Sequence, residues 1–131
     1  MKLLRISAVT LLVNDMDRSY EFYSRIPGFT LSYFSKNFTT FTLEENTGTQ
    51  THLNLELSIH DNLTDNKHRH FGRIIFHTDN VDAMYCYLKN DGFLSKLIII
   101  ESKPVNANWG ERYFHLRDPD GYQISFAQPL K

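Results

Sequence analysis

The sequence predicts an α+β fold built from two tandem βαβββ modules. Three observations carry this expectation. Residues 8–23 (AVTLLVNDMDRSYEFY) and 73–88 (RIIFHTDNVDAMYCYL) share one pattern at an offset of 65 residues, close to half of the 131-residue chain. Each copy runs from an apolar-rich strand through an Asn/Asp pair into an amphipathic helix, and strand-like stretches follow each helix. A repeat of this period makes each half of the chain one supersecondary unit. The expected organisation is a single domain over 1–131, with module one at about 1–60, a linker at about 61–70 and module two at about 71–131.

The helices follow from capping and periodicity. Asn14-Asp15 and Asp79-Asn80 precede them, and such side chains accept hydrogen bonds from free first-turn amides. Over 16–26, Met16, Tyr20, Tyr23 and Ile26 line one face. Over 81–90, Val81, Met84, Tyr85 and Leu88 do the same. Both stripes suit packing on a sheet. Gly28 and Gly92 read as helix-stop residues.

Strands are expected at 29–35, 38–44 and 52–59, then at 94–101, 111–117 and 122–128. Asp118-Pro119-Asp120-Gly121 is a strong turn signal and joins the last two as a hairpin. Residues 45–51 and 61–70 read as loops.

Alternation assigns the sheet faces. Leu53, Leu55, Leu57 and Ile59 fall under the helices, with His52, Asn54, Glu56 and Ser58 opposite. Ile74 and Phe76 take the helix side, leaving Arg73, Ile75 and His77 on the other face. In the last strand Ile124 and Phe126 are helix-side, so Gln123, Ser125 and Ala127 face away. A four-residue turn at 118–121 would set Phe114 opposite Ser125 and Arg112 opposite Ala127. Directly opposed residues share a face, so Arg112 and Phe114 are expected to join Arg73, Glu56, His77 and Asn54 on a mixed polar surface, which suits either a solvated sheet face or the polar wall of a cleft.

Composition removes several classes of function. Fourteen basic residues against 15 acidic ones give a formal net charge of −1, unlike the strongly basic field of a general nucleic-acid binder. The single Cys86 provides neither an internal disulfide nor a multi-cysteine zinc site. The aliphatic run 97–100 is far short of the roughly 20 residues that a membrane helix needs, and Arg5 interrupts the apolar start, making a poor signal peptide. A cytoplasmic protein with no membrane or nucleic-acid partner is expected. The aromatic content of 14% is high. Helix periodicity assigns most of the aromatics on the helices to packing.

Two motifs then carry a resemblance: Val13-x-Asp15-Met16-x-x-Ser19-x-x-Phe22-Tyr23, and Trp109-Gly110-x-Arg112-x-Phe114-x-x-x-Asp118-Pro119-Asp120-Gly121-x-x-Ile124. With the half-chain repeat, they make the sequence resemble the vicinal oxygen chelate superfamily, which includes glyoxalase I, extradiol dioxygenases, fosfomycin resistance enzymes and bleomycin-binding proteins. The resemblance implies curved sheets facing each other around a cleft. It also implies four metal-ligand positions, one on the first and one on the fourth strand of each module. Here these positions read as Ala8, Glu56, Arg73 and Ser125. Ala8 has no donor, Arg73 is permanently cationic and Ser125 is a weak neutral ligand, so Glu56 alone is well suited to Zn²⁺, Mn²⁺ or Fe²⁺. No metal and no cofactor are expected. A Glu56–Arg73 pair could take the metal's place, either filling the cavity or holding a polar ligand.

The remaining candidates have bland readings beside functional ones. His68-x-His70 falls in the linker and reads as exposed loop, His77 and His115 as hydrogen-bonding strand residues, and Cys86 as structural. Trp109, the only Trp, is either a packing residue or a stacking platform for a planar ligand. The resemblance is greatest to the metal-free, bleomycin-resistance-type branch. That implies a small-molecule-binding protein, antibiotics included among its candidate ligands, acting as a homodimer, with Glu56, Arg73, Trp109, Arg112, Phe114 and Ser125 as ligand contacts and no catalytic residue. The alternatives are a metal-dependent lyase, dioxygenase or thiol transferase in which His52, His77 or His115 joins Glu56, and a degenerate interaction module.

Overall fold

Asp15 and Asn80 each start a helix, as the repeat predicts. Asp15 accepts from the Arg18 amide at 3.1 Å, and Asn80 from the Ala83 amide at 3.0 Å. The computed structural model describes residues 1–58 and 69–131, with residues 69 and 70 described by backbone alone. The chain divides into two units, Met1–Thr64 and Asp65–Lys131.

In the first unit, β1 (Ala8–Val13) leads into α1 (Met16–Tyr23), followed by β2 (Thr30–Phe34), β3 (Phe38–Glu44) and β4 (Gln50–Leu57). The sheet order is β1-β4-β3-β2, with β1 parallel to β4 and the other pairs antiparallel. The helix ends before residue 26. The Arg25 and Ile26 amides shorten their bonds to Phe22 and Tyr23, and Pro27 cannot continue the ladder. Gly28 then takes φ +109, a conformation that L side chains resist. Phe22, Tyr23, Phe41, Leu53 and Leu55 are buried between helix and sheet, with Phe41 in ring contact with Tyr20, Tyr23 and Phe29. The expected core residue Ile59 lies outside the described residues.

The second unit repeats this order. β5 (Arg69–His77) precedes α2 (Val81–Asn90), then a short 3₁₀ turn (Leu94–Lys96), β6 (Ile99–Ile100), β7 (Val105–Asn106), β8 (Glu111–Arg117) and β9 (Tyr122–Pro129). The sheet order is β5-β9-β8-β6, with β5 parallel to β9 and β7 paired to β8. Two expectations change here. The strand expected at 94–101 shrinks to β6, because the Asp91 carboxylate accepts from the Phe93 and Leu94 amides, each at 2.9 Å, and winds the chain into the 3₁₀ turn. Residues 69 and 70, expected to end the linker, are already strand; the pairing of this strand with β9 shifts register between Arg69 and Arg73, where Gly72 takes φ +108. Residues 61–68 of that linker, with His68, lie outside the described residues, as does the His70 side chain.

The turn between β8 and β9 changes the site. Its loop is Pro119-Asp120-Gly121, three residues long, closed by the Asp118 amide on the Tyr122 carbonyl at 2.9 Å. The Asp118 carboxylate accepts from the Asp120 and Tyr122 amides, and Gly121 adopts φ +89. This is the three-residue hairpin with a left-handed glycine as its extra residue. One added residue moves every β8 side chain to the opposite face. Phe114 therefore pairs with Phe126 and Arg112 with Gln128, while His115 faces Ser125 and Tyr113 faces Ala127.

Candidate ligand-binding face

The β9 register corrects two of the expected contacts. Phe114 is on the helix side, fully buried, packed on Tyr85 of α2 at 5.3 Å and Phe126 at 5.6 Å. It cannot line a cleft on the opposite face. Arg112 points the same way: its guanidinium holds both oxygens of Asp82 in the first turn of α2 at 3.0–3.1 Å, and Asn106 at 3.1 Å. Both residues fasten helix to sheet.

Their neighbours in sequence occupy the other face. Tyr113, His115 and Arg117 of β8, Gln123, Ser125 and Ala127 of β9, and Arg73, Ile75 and His77 of β5 form three cross-strand rows: Arg73–Gln123–Arg117, Ile75–Ser125–His115 and His77–Ala127–Tyr113. The small residues Ser125 and Ala127 occupy the central strand and are buried. Larger side chains rise on both flanking strands, about 9.5 Å apart at the backbone across two strand spacings. By register the rows set a low Ser-Ala centre, the trough, between taller flanking side chains.

Each end of the trough is built by hydrogen bonds. At one end the Arg73 Nε donates to Gln123 Oε1 at 3.0 Å. Gln123 donates in turn to Glu101 at 2.9 Å, and Arg117 donates to the same Glu101 carboxylate at 3.1 Å. At the other end His77 Nε2 meets Glu111 Oε2 at 2.6 Å, bridging β5 to β8, while the Trp109 indole N–H donates to Glu111 Oε1 at 3.0 Å. These two bonds hold the Glu111 carboxyl below the usual carboxylate range, the indole contributing most. Trp109 is 67% exposed and stacks on Tyr113, centroids 5.6 Å apart and planes 24° from parallel. Tyr113 touches the His115 ring at 4.9 Å. An aromatic wall thus runs along the β8 side.

Behind that wall, the His115 Nδ1 hydrogen-bonds to the Ser125 hydroxyl. Burial, then the Arg73 charge, push the His115 pKa down against the opposing pull of Glu101. The imidazole is neutral near pH 7, able to donate through one nitrogen and accept through the other.

The first unit carries a different surface at corresponding positions. Asn54 lies between Thr10 and Thr40 and is bonded to both, Thr40 Oγ1 donating at 2.8 Å and Asn54 Nδ2 donating to Thr10 at 3.2 Å. His52 Nδ1 shares a hydrogen bond with Thr42 at 3.0 Å. By register, Asn54 is the counterpart of Ser125, each bonded to its β3 or β8 partner. Glu56 lies two residues further on, exposed, opposite Leu12 and Phe38. The correspondence of Glu56 with Ser125 is therefore corrected to Asn54.

The sequence profile of the Glyoxalase/Bleomycin resistance protein/Dioxygenase superfamily matches residues 5–126. The chain belongs to this superfamily. Solved structures of the fold agree. A glyoxalase family protein from Bacillus cereus has a TM-score of 0.66 at 18% identity, over 100% of this chain and 97% of its own. A glyoxalase/bleomycin resistance protein/dioxygenase from Nocardioides has 0.70 at 21%, over 100% and 87%. A virulence protein from Salmonella typhimurium has 0.70 at 22%, over 99% and 100%. At these identities the likeness is one of fold. No curated protein gives a significant sequence match.

The metal site implied by the superfamily meets an unsuitable donor set in this member. Ala8 pairs with His52 and offers no donor atom, Arg73 presents a cation bonded to Gln123, and the Ser125 hydroxyl is engaged by His115. With Asn54 in register on the fourth strand, even the carboxylate moves out of line. Among the described residues no three His, Cys, Asp or Glu side chains gather as a metal cluster. His52, His77 and His115 are engaged instead with Thr42, Glu111 and Ser125.

Of the residues predicted as ligand contacts, Arg73, Trp109 and Ser125 share the trough face. Tyr113, His115, Gln123, Glu101 and Glu111 complete it. Alternation had placed Gln123 on this face. Tyr113, His115 and Glu111 were hidden behind the one-residue register of the turn, for which Gly121 after Pro-Asp was the available signal; Glu101 lies outside that hairpin.

Proposed function

We propose that this superfamily member binds a small organic molecule without a metal, in the trough of the second unit's sheet. One observation carries the reading. The only Trp is two-thirds exposed, yet fixed flat on Tyr113 and tied through Glu111 to His77 across the sheet. An exposed large aromatic held in one orientation is preorganised to stack on a planar ligand, because little side-chain freedom remains to be lost on binding. Arg73 and His115 offer polar contacts on the same face. Arg112 and Phe114, turned to the helix side, are not contacts in this proposal.

The reading favours binding over catalysis because the imidazoles of this face are engaged in structural contacts, His115 with Ser125 and His77 with Glu111. The homodimer implied by the bleomycin-resistance resemblance belongs to the same proposal, and sedimentation velocity of the purified chain tests it. The test of binding is a thermal-shift screen of chelator-treated protein against a chemically diverse library. The expected hits raise Tm, quench Trp109 fluorescence and weaken in Trp109→Ala. A library without hits, or hits that appear only after a divalent cation is restored, contradicts it.

A further inference from the structure

We propose that the preferred ligand is a planar aromatic molecule carrying one anionic group, its ring against Trp109 and Tyr113 and its charge toward Arg73. This rests on the binding reading above and adds the chemical class. The charges of the trough are arranged by row. The row at one end holds Arg73 and Arg117, with Glu101 accepting from both Arg117 and Gln123. Arg73 spends its Nε on Gln123. Among the described residues of the unit its two terminal amino groups have no acceptor, and the side chain is exposed. A guanidinium fork oriented by one bond and open at its other edge fits a carboxylate or another planar oxyanion.

The opposite end is acidic only in form. Glu111 is occupied by the Trp109 and His77 nitrogens, so its oxygens are turned to holding the platform. A cationic ligand would find its carboxylate already used there and Arg73 repelling it at the other end. Between the ends lie Ile75, Tyr113, the neutral His115 ring and the small floor residues. Four residues along β5 from Arg73 to His77 span about 13 Å, room for a fused two-ring system plus a carboxylate. The aromatic contact supplies affinity and Arg73 sets the orientation.

The test uses three isosteric probes: 2-naphthoate, 2-naphthamide and 2-naphthylmethylamine. Trp109 fluorescence and calorimetry are read on chelator-treated protein. The expected result is tightest binding of the naphthoate, at least about tenfold over the other two, a difference of about 1.4 kcal/mol. This preference should shrink as salt rises. Arg73→Gln should bring the naphthoate down to the amide, and Arg73→Lys should fall between, with unchanged thermal melts showing that both variants fold. Equal binding of all three, preference for the amine, or a naphthoate preference that survives Arg73→Gln overturns the charge assignment and leaves metal-free binding standing. Absence of binding by every probe overturns the aromatic-anion class, and the library screen then decides the binding reading independently.

Discussion

His115 and Ser125 face each other across β8 and β9, the imidazole Nδ1 hydrogen-bonded to the serine hydroxyl at the centre of the second sheet. The pair lies between the charged row of Arg73 and Arg117 and the aromatic row of Tyr113. In the first unit Thr40 and Asn54 make the corresponding contact. The two modules thus keep one architectural device, a polar pair bridging the same two strands, while differing in what surrounds it.

The pairing makes stability depend on pH in a definite direction. The His115 pKa is lowered in the folded protein, first by burial and then by the Arg73 charge. Below the ordinary imidazole pKa near 6.5 the unfolded chain therefore binds more protons than the folded one. Stability is expected to fall as pH drops from about 6.5 toward the folded pKa, and His115→Gln should flatten that part of the profile. Urea melts between pH 5 and 8 check this; a His115→Gln profile parallel to wild type speaks against it.

The register of the β8–β9 hairpin rests on Gly121 at φ +89. Gly121→Ala forces an L side chain into the left-handed region, a cost of about 1–2 kcal/mol. The expected outcome is a lower urea midpoint with an unchanged m-value. A neutral substitution would mean that the loop is not closed as described.

Phe114 and Trp109 should respond in opposite ways. Phe114→Ala removes a fully buried ring beneath α2, a loss of about 3–5 kcal/mol. Trp109→Ala removes an exposed ring, so its stability should change by about 1 kcal/mol or less while ligand binding suffers. Denaturation curves and ligand titrations of the two variants separate core from platform.

Glu111 is a positioning residue, acting through Trp109 and His77. Glu111→Gln keeps an acceptor for the indole but removes the charge toward His77, and Glu111→Ala removes both. Trp109 fluorescence anisotropy should drop further in the Ala variant than in the Gln variant. Equal anisotropy in wild type and both variants would show that stacking on Tyr113 alone fixes the indole.

Much of the fold was legible because local chemistry and global arrangement agree. Asp15 and Asn80 capped the helices they preceded, and the apolar alternation of Leu53 and Leu55 marked the buried face of β4. The site was less legible. Arg73 and Ser125 could be placed from alternation within their own strands, whereas His115 and Tyr113 needed the register of a hairpin whose loop length differs by one residue from the simplest closure. A side-chain period of two turns that single residue into an exchange of faces. The same error promoted Phe114 and Arg112. Cross-module correspondence had a similar limit: Glu56 lies two positions from Asn54, and only the β1–β4 register separates them.

The most direct test of metal-free binding on the second sheet is a two-dimensional NMR titration of chelator-treated, isotope-labelled protein with 2-naphthoate. Shift changes are expected to cluster at residues 73, 75, 109, 113, 115, 125 and 127, saturating with one ligand per chain and unaltered by added Zn²⁺ or Mn²⁺. Shifts that arise only after a divalent ion is added, or that cluster away from these positions, would contradict it.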